Sequence, residues 1–101
     1  MPVIIETAES AVIAYIQGEI DHHNAPEIRR EIDLAAERSH PDTLILDFGD
    51  VTFMDSSGIG LVMGRYKTVR SYGGSIRITN TSSQIKKVMK LAGLDHLASI
   101  E

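Results

Sequence analysis

Leu44-Ile45-Leu46-Asp47-Phe48-Gly49-Asp50-Val51-Thr52-Phe53-Met54-Asp55-Ser56-Ser57-Gly58-Ile59-Gly60 carries the chain from a strand, through a polar junction, into a helix. Leu44-Ile45-Leu46 is a short, nearly continuous apolar run, which suits a strand covered on both faces. Gly49-Asp50 predicts a turn, and Val51, Phe53 and Met54 lead into Asp55-Ser56-Ser57-Gly58. A helix follows to about Tyr72, with Ile59, Val62, Met63, Tyr66 and Val69 as its buried stripe and Gly73-Gly74 closing it. A strand followed by a helix is part of a βαβ unit, so the flanking sequence decides whether the unit repeats.

It repeats on the C-terminal side. Ile76 and Ile78 alternate with Ser75, Arg77 and Thr79, a half-buried strand. Thr81 and Gln84 have capping-box spacing before a helix with Ile85, Val88, Met89 and Ala92 inside and Lys86, Lys87 and Lys90 outside. Gly93 ends that helix, and Leu97 to Ile100 form a last short strand. On the N-terminal side, Pro2–Thr7 and Ala11–Gln17 predict a β-hairpin around Ala8-Glu9-Ser10. A loop, Gly18 to His23, precedes a helix capped by Asn24 with Glu27 as its capping-box partner. Ala25, Ile28, Ile32, Ala35 and Ala36 are its apolar stripe, Pro26 fits its first turn and Pro41 stops it. The order β-β-α-β-α-β-α-β predicts an α/β fold: a single domain over residues 1–101 with a mixed sheet packed against helices. The last four strands are parallel to one another, and the first is antiparallel to the second.

Composition narrows the function. A chain of 101 residues has room for one core, which excludes most two-domain enzymes. The net charge of -4 and a pI near 5.5 argue against binding nucleic acid through a basic patch. With no cysteine there is no thiol nucleophile, disulfide or cysteine-ligated zinc. The first residues, Met1 to Glu6, lack a basic segment and a long apolar run, so neither a signal peptide nor a membrane span is expected. A cytoplasmic protein follows as the expectation.

In parallel βαβ units the loops leaving strands toward helices share one sheet edge, where ligands bind. Residues 18–24, 49–57 and 80–83 are such loops, so Asp21, His22, His23, Asn24, Asp55, Ser56 and Ser57 are expected together, joined by Thr81, Ser82 and Ser83. Ser56 lies at or just before a helix N-terminus, and two readings stand side by side. It is a plain N-cap, or it accepts a phosphate of about -1.5 to -2 charges that the helix end tolerates. Gly58-Ile59-Gly60 with Gly64 is a poor dinucleotide fingerprint; Gly60 and Gly64, one turn apart, instead allow a strand, helix or partner to approach closely. Asp47-Phe48-Gly49 spells a kinase tripeptide without the rest of the kinase set. Asp21-His22-His23 reads as a solvated loop whose histidines point apart, not as a metal site. A triad of Ser56, His22 or His23, and Asp21 lacks the Gly-x-Ser-x-Gly frame, so no catalytic residue is assigned. Lys86, Lys87 and Lys90 read as a solvated helix face. No metal or cofactor is expected.

With these loops placed, Gly18-Glu19-Ile20-Asp21-His22-His23, Phe53 to Gly60 and Gly64-Arg65-Tyr66-Lys67 together make the chain resemble STAS-domain anti-sigma factor antagonists, closest to the anti-sigma F factor antagonist subgroup of spore-forming bacteria. The resemblance runs from Ile4 to about Leu97 and implies a partner switch. The unphosphorylated antagonist binds an anti-sigma factor that is also a serine kinase, which frees the sigma factor. The kinase phosphorylates the first serine after the aspartate, here Ser56, and a PP2C-type phosphatase resets it. Asp21 matches a family aspartate beside that serine. By the same resemblance Asp21, His22, His23, Asp55, Ser57, Gly58 and Ile59 are partner-binding residues. Family members often continue into a further C-terminal helix, which would leave an apolar patch where this chain stops. Two other readings remain: a nucleotide-binding or small hydrolytic domain using the same edge, and a STAS antagonist of a stress-response circuit.

Overall fold

Apolar residues on every second position of adjoining strands give the sheet one greasy face. Val12, Ala14 and Ile16 alternate with half-buried neighbours, as do Leu44, Leu46 and Phe48, while Ile76 and Ile78 alternate with the exposed Ser75 and Arg77. The computed structural model describes residues 2–101, and Met1, with any part of the leader reading that rests on it, lies outside the described residues. The strands are β1 (Val3–Thr7), β2 (Ala11–Ile20), β3 (Thr43–Met54), β4 (Ser75–Thr79) and β5 (Ser99–Ile100). The helices are α1 (Ala25–Ser39), α2 (Ser56–Arg70) and α3 (Ser83–Leu91), with a 3₁₀ turn at Leu94–His96.

The sheet order is β1-β2-β3-β4-β5, with β1 antiparallel to β2 and the rest parallel, as the sequence predicts. Each crossover steps to the next strand in the same direction. Crossovers of one hand then place all the helices on the same side of the sheet. Ile28 and Ile32 of α1, Leu61, Val62 and Val69 of α2, and Met89 of α3 share one core with the sheet residues above. Leu44-Ile45-Leu46 is therefore covered on one face and not two: Leu44 and Leu46 are fully buried, while Ile45 is only half-buried on the open face.

Other differences have local causes. β2 continues to Ile20 rather than stopping at Gln17, because register shifts at Tyr15/Gln17 and Gly18/Glu19 absorb extra residues. Gly18 takes φ +77, open to glycine at no steric cost, so a residue read as the start of a loop is part of a bulge. Paired with this extension, β3 runs unbroken to Met54, and Gly49-Asp50 is strand and not turn. In α2, Met63 is exposed and Leu61 buried, the reverse of the expected stripe at those positions. In α3 only Met89 is fully buried. Val88 and Ala92 face out, since β5, two residues long, offers little sheet beneath them. The last strand is Ser99–Ile100, the 3₁₀ turn taking up the residues before it. Among the described residues no helix is long and apolar enough to cross a membrane.

Candidate functional site

The paired extensions of β2 and β3 deliver two loops to one place. The Asp55 N–H donates to the Ile20 carbonyl at 3.1 Å, tying the start of α2 to the end of β2. Asp55 is extended (φ -102, ψ -167), and its Oδ1 accepts from the Ser57 N–H at 2.8 Å and from the Ser57 hydroxyl. Asp55 is therefore the N-cap of α2. The plain-cap reading of Ser56 is corrected: Ser56 is the first helical residue. It is exposed, and among the described residues its hydroxyl has no hydrogen-bond partner. Two adjacent serines are thus chemically distinct, Ser57 engaged and Ser56 free.

The Asp55 carboxyl is held below the usual carboxylate range, first by the Ser57 hydroxyl and then by the Ser57 N–H. Partial desolvation opposes this, and the charge and N–H of His22 add to it. His22 and Asp55 are thus neighbours across the two loops. Asp21 Oδ1 accepts from the N–H groups of His23 (3.0 Å) and Asn24 (2.9 Å), and the Asp21 carbonyl accepts from Ala25 N at 2.8 Å. This turn does the capping expected of Asn24. Asn24 itself is helical in φ and ψ and makes no cap bond with its side chain; its Nδ2 donates to the Glu19 carbonyl at 3.0 Å. The rings of His22 and His23 do not point apart: their centroids lie 4.2 Å from each other. Among the described residues no three histidine or acidic side chains gather to hold a metal.

Gly58, expected among the contact residues, has a packing role. It is buried at the first turn of α2. A Cβ there would stand 2.3 Å from Met54 Cγ, so its bareness lets the first turn of α2 sit on the end of β3. Ile59 is half-buried and packs against the core. Gly60 and Gly64 serve no close packing within the chain, since a Cβ on either would meet nothing within 4 Å.

The third loop meets this edge from the side, lower on the sheet. β4 pairs with β3 only as far as Asp47, well short of Asp55. Asn80 Nδ2 donates to Asp47 Oδ2 at 2.7 Å, which pins the turn there. Thr81 is no cap; its hydroxyl donates to the Glu101 carbonyl at 2.9 Å, while Ser82 caps α3 by accepting from Ile85 N at 3.2 Å. Ser82 also lines a groove with Val51, Phe53, Met54, Ile85 and Val88, so the third loop borders the extended end of β3 just before Asp55.

Sequence reading passed over the pair that joins α1 to α2. Arg65 Nε lies 2.9 Å from Asp33 Oδ1, and Arg65 is buried among Leu61, Val62 and Val69. Desolvation raises the Asp33 carboxyl and lowers the Arg65 guanidinium, each against the attraction of its partner. An arginine at a stripe position of an otherwise apolar helix face was the available signal.

The comparisons with known proteins agree with this architecture. The family model "STAS domain" matches residues 2–101. An anti-sigma F factor antagonist of Lysinibacillus sphaericus is 38% identical over 88 residues, 87% of this chain and 74% of that protein. An anti-sigma-B factor antagonist of Bacillus subtilis is 32% identical over 96 residues, 95% of this chain and 86% of that protein. The anti-sigma factor antagonist SpoIIAA, solved in its unphosphorylated form, superposes with a TM-score of 0.84 at 32% identity. That match covers 98% of this chain and 87% of the other. The phosphorylated form of SpoIIAA, a Bacillus cell fate determinant, superposes with a TM-score of 0.77, also at 32% identity, covering 98% of this chain and 90% of the other.

Proposed function

The chain belongs to the STAS domain family, and from that membership we propose that it is an anti-sigma factor antagonist switched by phosphorylation of Ser56. It works in the cytoplasm, by binding and not by catalysis. Unphosphorylated, it docks on an anti-sigma factor that is a serine kinase, and the sigma factor is released. The kinase then transfers the γ-phosphoryl group of ATP to the Ser56 oxygen, ADP leaves, and the hydroxyl proton is lost. A PP2C-type phosphatase hydrolyses the ester and restores binding.

The observation that carries this reading is the contrast between the two serines. Ser56 Oγ is exposed and free at the first position of α2, whereas the Ser57 hydroxyl is spent on Asp55. A phosphate on Ser56 brings about -1.5 to -2 charges to the positive end of a helix, which tolerates them locally. The partner meets that charge beside Asp55 and Asp21, where an acidic surface becomes more so. His22, His23 and Ser57 complete the contact face, and Ile59 borders it. The relatives named for sigma F and for sigma B match comparably, and the same surface serves either circuit.

The test is phosphate transfer followed by intact-mass spectrometry, with the purified cognate anti-sigma kinase and ATP. One phosphate is expected on the wild type and on Ser57→Ala, and none on Ser56→Ala. Equal labelling of Ser56→Ala overturns the assignment. Ser56→Asp is expected to weaken kinase binding, and unchanged affinity would rule out charge as the switch.

A further inference from the structure

Between the N-terminal halves of α1 and α2 runs a groove of about 370 Å³. Its charge is unlike that of the molecule around it. The chain carries a net -4, yet none of the residues lining the groove is acidic, and two of them are Arg29 and Arg65. His22 and Ser57 close one end. Gly60 and Gly64 leave one wall without side chains, with space within 4 Å of both.

Arg65 is the second, independent feature. It is only 6% exposed, and it lines the groove. Its Nε is engaged by Asp33 Oδ1 at 2.9 Å, while its Nη1 has no hydrogen-bond partner among the described residues. A buried guanidinium with unused donors is costly unless something accepts from it. Arg29 stands near enough to act on both members of the pair, lowering the pKa of Asp33 and of Arg65 alike. Asp33 is ion-paired with Arg65, and Arg29 stands close by on the same helix as Asp33. Glu37, the other acid felt by Asp33, is not among the groove's lining residues. Inside the groove itself, the two arginines face no carboxylate.

We propose that the α1–α2 groove binds a small organic anion. Its phosphate or carboxylate is held by Arg29 and Arg65, and its apolar remainder lies over Gly60 and Gly64. The volume falls in the range of small-molecule sites, roughly 300–1,000 Å³, and exceeds what a single phosphate fills. Bare backbone at two positions one helical turn apart admits a flat group that a side chain would exclude. The site stands independently of the Ser56 switch, because it needs neither the kinase nor a modified serine.

The probes are inorganic phosphate, for the anion alone, and phenyl phosphate, for anion plus ring. Each is titrated into the full chain labelled with ¹⁵N, against sodium chloride at matched ionic strength. Saturable shifts are expected at the Gly60 and Gly64 amides and at Arg65 Nε–H, with phenyl phosphate binding about tenfold tighter, equivalent to about 1.4 kcal/mol. Gly64→Leu fills the groove from an open position. It is expected to weaken phenyl phosphate at least about tenfold while leaving the remaining amide spectrum in place. Arg29→Gln, a surface change that keeps the Asp33–Arg65 pair, is expected to weaken both probes. Shifts no larger than those with chloride, or equal affinity in the wild type and Gly64→Leu, overturn the proposal.

Discussion

The two ends of β3 live in different surroundings. From Thr43 to Asp47 the strand is flanked by β2 and β4, and Leu44 and Leu46 are sealed beneath the helices. From Asp50 to Met54 it is paired only with β2, and Asp50, Thr52 and Phe53 are exposed. The first region is scaffold and the second is mount. The mount is nonetheless a hydrogen-bonded ladder with a bulge and not a loop, so Ser56 is displayed on a directed support. Exposure and order coexist there because Val51 and Met54 pack on the core and Ile20, opposite Met54, is sealed in it, while the residues between them face out.

That contrast predicts unequal costs. Leu46→Ala removes a fully buried side chain and is expected to cost about 2–5 kcal/mol, read from urea unfolding. Phe53→Ala, in the same strand but 51% exposed, is expected to stay within about 0.5 kcal/mol. Comparable losses from the two would erase the division between scaffold and mount. The next effect lies at the joint between them. Gly58→Ala drives a Cβ into Met54 near its Cγ, which is not the free end of that side chain. A loss of about 1–3 kcal/mol is expected, as for other overpacked sites. Met54→Ala combined with Gly58→Ala should recover part of it, since the clash partner is gone. Full additivity of the two losses would show that the close approach is not what glycine serves there.

The same division explains what could be read from sequence. In the scaffold, alternation and helical stripes speak directly, because side chains choose faces by burial: the hairpin, the parallel strands and α1 with Ile28, Ile32 and Ala36 inside all follow. In the mount, burial is weak and local chemistry misleads. Gly18 and Gly49-Asp50 carry turn composition, yet the ladder between β2 and β3 overrides it. The site residues were legible as a cluster because topology brings loop ends together whatever their detail. Which residue caps α2 was not legible, because Asp55 and Ser56 are both good caps and only the backbone decides between them. The pairing of Arg65 with Asp33 was not legible, because the two sit on different helices, far apart in sequence.

The smallest expected effect concerns that cap, and its sign can be worked out. Asp55 has a lowered pKa in the folded chain, first through the Ser57 hydroxyl. An unfolded aspartate titrates near about 3.9. A depressed folded value means that the ionised carboxylate favours the folded state. Its contribution is whole above the unfolded value and is lost as the pH falls through the folded one. Asp55→Ala should therefore lower Tm slightly at neutral pH, and the gap to the wild type should narrow as the solution is acidified below pH about 4. Glu101, also lowered through Arg77, and Asp33, raised by desolvation, titrate in both proteins and cancel in that difference. A gap independent of pH would assign the role of Asp55 to shape alone. A gap that narrows ties it to the charge that holds Ser57 and leaves Ser56 free.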